Sequence, residues 1–241
     1  MKNRMKNTMK NTMILPDFFI IGASRSGTNS LRVMLNSVPE ILPARRREIH
    51  FFDNDKQYSK GLKHYESYFL EREVHLSFDT TPGYLYSEKA PIRIKRDMSE
   101  QSHRFIVLLR NPVNRAWSNY WHWRDKIPKS ELFNPNSEIL KRGCYVDYLK
   151  KWVRVFDPKC FLIVKSEMFF RQPVEVANDI LDYFFELTGQ VQKALYYDPK
   201  KNNPTAKSSY PKPDRKVVDL LTEYYRLPNI ELYNYSGVNW E

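Results

Sequence analysis

The sequence predicts an α/β domain in which a P-loop-like parallel sheet is flanked by helices on both faces. Three observations carry that expectation. Apolar, β-rich runs recur as DFFIIGA (17–23), VHLSFDT (74–80), RFIVLLR (104–110) and CFLIVKS (160–166). Segments of helical period separate and follow them: Leu31, Met34, Leu35 and Val38, then Ala177, Ile180, Leu181 and Phe184, then Val217, Leu220, Leu221 and Tyr224. Finally, FFIIGASRSGTNSL (18–31) takes a strand through a loop holding Gly22 and Gly27 straight into a helix. Continuous apolar strands alternating with amphipathic helices make a parallel sheet covered on both sides. Ligands of such sheets bind at the carboxyl ends of the strands, where both the 24–28 loop and Arg110 fall.

At 241 residues the chain suits one sizeable core, read as a single domain over 16–241 behind a basic leader, 1–15. The leader opens with MKNRMKNTMKNTM, which is polar and repeats Met-Lys-Asn, and it reads as disordered. It lacks the apolar stretch of a signal peptide, and no run of 18 apolar residues follows, so the expectation is a cytoplasmic protein without a membrane span. Net charge is +11; Lys2, Arg4, Lys6 and Lys10 precede the first acid, Asp17, and removing those four leaves +7 on the folded part. An anionic partner follows from that balance, whether a nucleotide, an acidic polysaccharide or nucleic acid. Cys144 and Cys160 have neither metal-ligand nor disulfide-framework spacing and are read as reduced core thiols.

The loop Ser24-Arg25-Ser26-Gly27-Thr28-Asn29 has the glycine spacing of a phosphate-binding loop, whose backbone amides close around an anion. Thr28 stands where an NTPase loop has its lysine. A second anion element is LLRNPVNRAWSNYW (108–121): Arg110 ends a buried strand, Asn111 is a plausible N-cap before Pro112, and Ser118 lies two turns into the helix. A lone arginine at a strand end is more often a surface ion-pair residue. The proline-rich stretch 200–214 reads as a long loop, either a solvated linker or an anion contact through Lys207, Ser208 and Ser209.

Taken together, these segments resemble the sulfotransferases that use 3′-phosphoadenosine 5′-phosphosulfate (PAPS), most closely the heparan sulfate glucosaminyl enzymes, from Phe18 to Trp240. The resemblance implies the sulfotransferase fold, transfer of a sulfuryl group from PAPS to a hydroxyl or amine of a carbohydrate acceptor, release of adenosine 3′,5′-bisphosphate (PAP), and no metal. It assigns the 5′-phosphosulfate to Ser24–Asn29, the 3′-phosphate to Arg110 and Ser118, and further cofactor contacts to Lys207–Ser209. REIHFFD (47–53) looks like the family's catalytic-base segment, with the base at Glu48, and TTPGYLY (80–86) is similar to its Thr-Pro-x-Tyr segment. PAPS has no γ-phosphate, which removes the task of the missing lysine.

The chain departs from that family at Arg25, where a lysine is usual; at Thr80, where the glucosaminyl enzymes carry a lysine; and at Lys207-Ser208-Ser209, in place of a Lys-Gly-Arg run. Arg25 keeps the charge and the capacity for bidentate anion binding but does not deliver a proton. His50 is the alternative base, as in the cytosolic sulfotransferases, because strand alternation would put it on the same face as Glu48. The neighbouring Arg45, Arg46 and Arg47 would draw an anionic acceptor and lower the carboxylate's pKa. Trp117, Tyr120 and Trp121 fall on one helix face and read as core, while Trp123 or Tyr84 would stack on a ring of the ligand. Two other classes compete: a P-loop kinase or NTPase, against which the missing lysine argues, and a non-catalytic nucleic-acid-binding protein, for which no motif speaks.

Overall fold

A computed structural model describes residues 15–69, 76–99, 103–188 and 210–240, with the backbone alone for 184–188. Residues 1–14 of the leader and Lys207, Ser208 and Ser209 lie outside the described residues. In chain order the elements are β1 (Phe18–Gly22), α1 (Thr28–Leu35), β2 (Ile41–Pro43), α2 (Asp55–Tyr58), α3 (Leu62–Glu66), β3 (Leu76–Thr80), a 3₁₀ turn (Tyr84–Tyr86), α4 (Lys89–Asp97), β4 (Phe105–Leu109), α5 (Pro112–Trp123), a second 3₁₀ turn (Lys129–Leu132), α6 (Glu138–Lys141), α7 (Tyr145–Val153), a third 3₁₀ turn (Pro158–Cys160), β5 (Phe161–Lys165), α8 (Ser166–Arg171), α9 (Pro173–Thr188) and α10 (Arg215–Ser236).

All pairings are parallel, in the order β2-β3-β1-β4-β5. β1 lies between β3 and β4, so Ile20 is paired with both Thr80 and Ile106. The loops leaving these three strands therefore emerge side by side at one edge, at the point where the strand order reverses.

Strand alternation divides the apolar residues between two layers. Phe19, Ile21, Phe105, Val107 and Leu109 face a layer built with Tyr65 of α3, Ile94 of α4, and Leu149 and Trp152 of α7. Phe18, Ile20, Ile106 and Leu108 face Leu31, Met34 and Leu35 of α1 and Ala177, Ile180 and Leu181 of α9. A third cluster packs Val113, Ala116 and Trp117 of α5 on Val217, Leu221 and Tyr225 of α10, with Tyr120 and Trp121 against it. The helix start at α5 is as the sequence predicts: Asn111 caps it by accepting from the amides of Val113 (3.0 Å) and Asn114 (3.2 Å), with Pro112 in the first turn.

Several expectations need correction. β2 is a three-residue edge strand ending in Pro43, too short to show a period in the sequence. Residues 45–53 form bends and turns, not a strand, so strand alternation does not relate Glu48 to His50. Cys144 and Cys160 are free but half-buried. Tyr84 is fully buried and its ring cannot reach a ligand.

Trp152 links the α7 layer to the first 3₁₀ turn: it is fully buried, its indole N–H donates to the Leu85 carbonyl at 3.2 Å, and its ring meets Phe105 with centroids 5.0 Å apart. Trp152→Ala is expected to lower unfolding free energy by about 3–5 kcal/mol, read from urea denaturation. A loss under about 1 kcal/mol, the level of a surface change, would mean that this layer does not hold the fold together.

Candidate functional site

The β1 loop gets its shape from backbone conformation. Arg25 and Gly27 both have positive φ, 71° and 94°, and a Cβ on Gly27 would stand 2.8 Å from Phe170. Only glycine takes that position without strain. Gly27 then precedes α1 with no side-chain cap, and the first helical bond runs from Leu31 N–H to the Gly27 carbonyl (3.0 Å). The amides of Thr28 and Asn29 come before that bond and have no carbonyl one turn back. They point to the helix N-terminus, where anions are favoured.

Not every amide of the loop is available. The Ser24 N–H donates to Tyr86 Oη (3.2 Å), and the Ser26 N–H closes a turn on the Ala23 carbonyl (3.1 Å). The Ser26 carbonyl accepts from Ser166 Oγ (2.6 Å), and the Ser26 side chain is buried next to the Tyr145 hydroxyl. Tyr86 and Ser166 thus fix the loop from two sides, and no sequence pattern announced either one.

The structure brings Arg25, Arg110 and Ser118 together, though the sequence reading placed Arg25 at one phosphate and Arg110 with Ser118 at another. Arg25 Nε donates to Ser118 Oγ (3.2 Å), and Arg110 Nη1 donates to the Arg25 carbonyl (3.2 Å). The Arg110 carbonyl is held in turn by the Tyr145 hydroxyl (2.8 Å). Among the described residues neither arginine has a carboxylate partner. Burial, and to a smaller degree the Arg110 charge, lower the pKa of Arg25. Two guanidiniums held close without a counter-charge make an anion site that the fold itself leaves uncompensated.

The second half of the site is the turn after β2. His50, with φ of 54°, stands between two carboxylates: Nδ1 is 2.8 Å from Asp53 Oδ2 and Nε2 is 3.2 Å from Glu48 Oε2. Gly83 permits this approach, since a Cβ there would be 2.9 Å from His50 Cε1 and 3.0 Å from Asp53 Oδ2. Hydrogen bonding to Asp53 and then to Glu48 pushes the His50 pKa up to about 10. The imidazole is therefore a cation at neutral pH and has no free lone pair to accept a proton. Glu48 is shifted the other way, chiefly by its hydrogen bond from His50, with Arg47 and His122 adding to the effect. It stays ionised, half-exposed and able to accept a proton. Asp53, within the quoted REIHFFD, is the member of this cluster that sequence reasoning gave no role; its signal was an acid three residues after a histidine.

Beside the anion loop lies an open cleft of about 190 Å³, lined by Arg25, Trp121, His122, Arg124 and Tyr210. Burial, and then the Arg25 charge, lower the His122 pKa, leaving a neutral imidazole beside the loop arginine. Trp123 is outside this lining and 42% exposed.

A parallel sheet in this order, with a glycine-shaped anion loop after β1 and a carboxylate turn after β2, defines a group-transfer enzyme of the P-loop-like class. The sulfotransferase domain family matches residues 15–220, and the chain belongs to that family. It is 29% identical over 254 residues to human heparan sulfate glucosamine 3-O-sulfotransferase 3B1, which covers 92% of this chain and 64% of that protein. It is 26% identical over 260 residues to mouse heparan sulfate glucosamine 3-O-sulfotransferase 5, covering 94% and 74%. The chain thus spans somewhat under two-thirds of the length of the 3B1 enzyme. A sulfotransferase of Alicyclobacillus acidocaldarius shares the fold, with a TM-score of 0.77 over 94% of this chain and 98% of that one at 22% identity. Among the described residues no helix is long and apolar enough to cross a membrane, and no cluster of three or more His, Cys, Asp or Glu is placed to hold a metal.

The His50 cluster predicts a titration. The pKa of His50 is raised on folding from 6.5, so its stabilisation is complete below pH 6.5 and is lost as pH rises through about 10. NMR of ¹³C-labelled histidine, assigned by the resonance missing in His50→Asn, should give a midpoint near 10 that moves down in Glu48→Gln. A midpoint near 6.5 in the unaltered protein would contradict the cluster.

Proposed function

We propose that the protein transfers a sulfuryl group from PAPS to a hydroxyl or amine of a carbohydrate acceptor, with Glu48 as general base. One observation carries the reading: Arg25, bonded to Ser118, and Glu48, bonded to His50, both lie near enough to His122 to act on its charge, and Arg25 and His122 line one cleft. The residues fit an adenosine bisphosphate. The first turn of α1 has no side-chain cap, so the Thr28 and Asn29 amides are open to anion oxygens, and two guanidiniums without a carboxylate partner among the described residues stand beside them.

PAPS supplies the sulfuryl group; the chain's own residues bind, orient and manage the proton. Thr28 and Asn29 amides and the Arg25 guanidinium hold the phosphate from which the sulfuryl group departs, stabilising charge as it develops there. Arg110 and Ser118 hold the 3′-phosphate. Glu48 takes the proton of the attacking acceptor as the new bond to sulfur forms and the bond to the leaving phosphate breaks. His50, charged and clamped by Asp53, orients the Glu48 carboxylate and keeps it ionised. Arg45, Arg46 and Arg47, all exposed beside Glu48, favour an anionic saccharide. The names of the relatives support heparan sulfate as the acceptor to try first.

Single-turnover transfer from labelled PAPS to a heparan sulfate oligosaccharide tests the chemistry, and calorimetry with PAP tests binding. Glu48→Gln should lower turnover by about 10²- to 10⁴-fold while PAP affinity stays unchanged. Arg110→Ala should weaken PAP by about 1.5–3 kcal/mol and leave adenosine 5′-phosphosulfate nearly unaffected. Normal turnover in Glu48→Gln would remove the base from this residue, and equal losses for both nucleotides would make Arg110 structural.

A further inference from the structure

Asp79, at the end of β3, is a carboxylate with no exposed surface and, among the described residues, no cationic partner. Three hydroxyls donate to it: Tyr65 and Tyr84 to Oδ2, both at 2.9 Å, and Thr81 to Oδ1 at 2.7 Å. Two of those hydroxyls also accept backbone amides from the turn that carries Glu48, His50 and Asp53. Thr81 Oγ1 accepts from Ile49 N–H (3.1 Å), and Tyr84 Oη from Phe51 (3.1 Å) and Phe52 (3.4 Å). Three amides of one irregular turn thus end, through two hydroxyls, on a single carboxylate.

We propose that Asp79 is the positioning residue of the catalytic turn, setting through Thr81 and Tyr84 the backbone that holds Glu48 against His50 and Asp53. The inference deepens the sulfotransferase reading and, for its effect on turnover, rests on it.

The argument is one of hydrogen-bond direction. A hydroxyl has one proton; when it accepts from an amide, that proton must go onward to an acceptor. An ionised carboxylate is acceptor-only, so both relays run the same way, from amide to hydroxyl to Asp79. A protonated Asp79 must donate to one of its three neighbours: donation to Thr81 or Tyr84 reverses a relay, and donation to Tyr65 leaves one acceptor oxygen fewer for the relays. Nothing in apolar packing requires a charge here, and burial of a carboxylate without a cation is unfavourable in itself. The groups facing it are Tyr65 from α3, Tyr84 from the 3₁₀ turn, Thr81 from its own loop, and Asp53 from the turn, with His50 beyond Asp53.

Burial raises the Asp79 pKa to about 6, the three hydroxyls opposing and the Asp53 charge adding to the rise. The sign follows for a raised acid: its contribution to stability is complete below 3.8 and is lost as pH climbs through about 6. The fold thus gains from protonation where the turn loses its ordering acceptor, and turnover should fall as pH drops below about 6.

Two variants of the full chain test this, Asp79→Asn and Tyr84→Phe. The second changes no charge and keeps the question answerable if the first fails to fold. Each should bring the His50 NMR midpoint down from about 10 toward 6.5 without touching the His50 cluster. Each should also lower single-turnover transfer to a heparan sulfate oligosaccharide by about 10- to 100-fold, the effect of a small misplacement, with PAP affinity unchanged. In Asp79→Asn the fall in turnover below pH 6 should flatten. An unmoved His50 midpoint in a folded variant overturns the proposal, as does loss of PAP affinity in step with turnover. The NMR readout needs no substrate, so normal turnover in Glu48→Gln would sink the base assignment while leaving the positioning role decided on its own.

Discussion

The hydrogen-bonding of β1 between β3 and β4 is the constraint on which the rest of the molecule depends. Its parallel ladders bring Thr80, Gly22 and Leu109 to one edge, and the Ala23 N–H continues the pairing onto the Leu108 carbonyl (2.7 Å). The chain must then leave three neighbouring strands in the same direction, so three loops share one small volume. The anion loop comes from β1, the Asp79-Thr81-Tyr84 support from β3, and Arg110 with the α5 cap from β4. Because these strands are apolar on both faces, the polar groups collect at the edge.

Electrostatics divides that volume into two parts of opposite character. On the β1 and β4 side, Arg25 donates to the Ser118 hydroxyl and Arg110 to the Arg25 carbonyl, and among the described residues neither guanidinium has a carboxylate partner. Beyond β3, one imidazolium is shared by two carboxylates and is fully paired. The first arrangement is unfavourable until an anion arrives; the second is favourable from the start. A cationic group and an ionised carboxylate thereby come near one imidazole, His122, which feels the charge of both Arg25 and Glu48.

Much of this was legible in the sequence because it rests on local rules. The four long strands announce themselves as continuous apolar runs, the loop by Gly22 and Gly27, and the α5 start by Asn111-Pro112. Arg110 stands out by its place after a buried strand, while its link with Ser118 came from the family resemblance. What escaped depends on contacts across the chain. β2 has three residues and no period. His50 sits at positive φ in a turn, so the strand reading of 47–53 failed, and with it the supposed common face with Glu48. Asp79 and Tyr84 looked like strand and stacking residues because a hydroxyl relay is defined only when α3, β3 and the 45–53 turn are in place. Ser166 and Tyr86 reach the anion loop from 140 and 62 residues away, distances over which spacing carries no information.

The central claim is that the carboxyl edge of this sheet is a two-anion site shaped for adenosine 3′,5′-bisphosphate. Isothermal calorimetry of the full chain with PAP and, separately, with ATP and magnesium tests it most directly. A loop without its NTPase lysine, joined to a second cationic subsite, predicts that PAP binds at least about tenfold more tightly, a difference of about 1.4 kcal/mol. Equal affinity, or a preference for ATP with magnesium, would contradict the account.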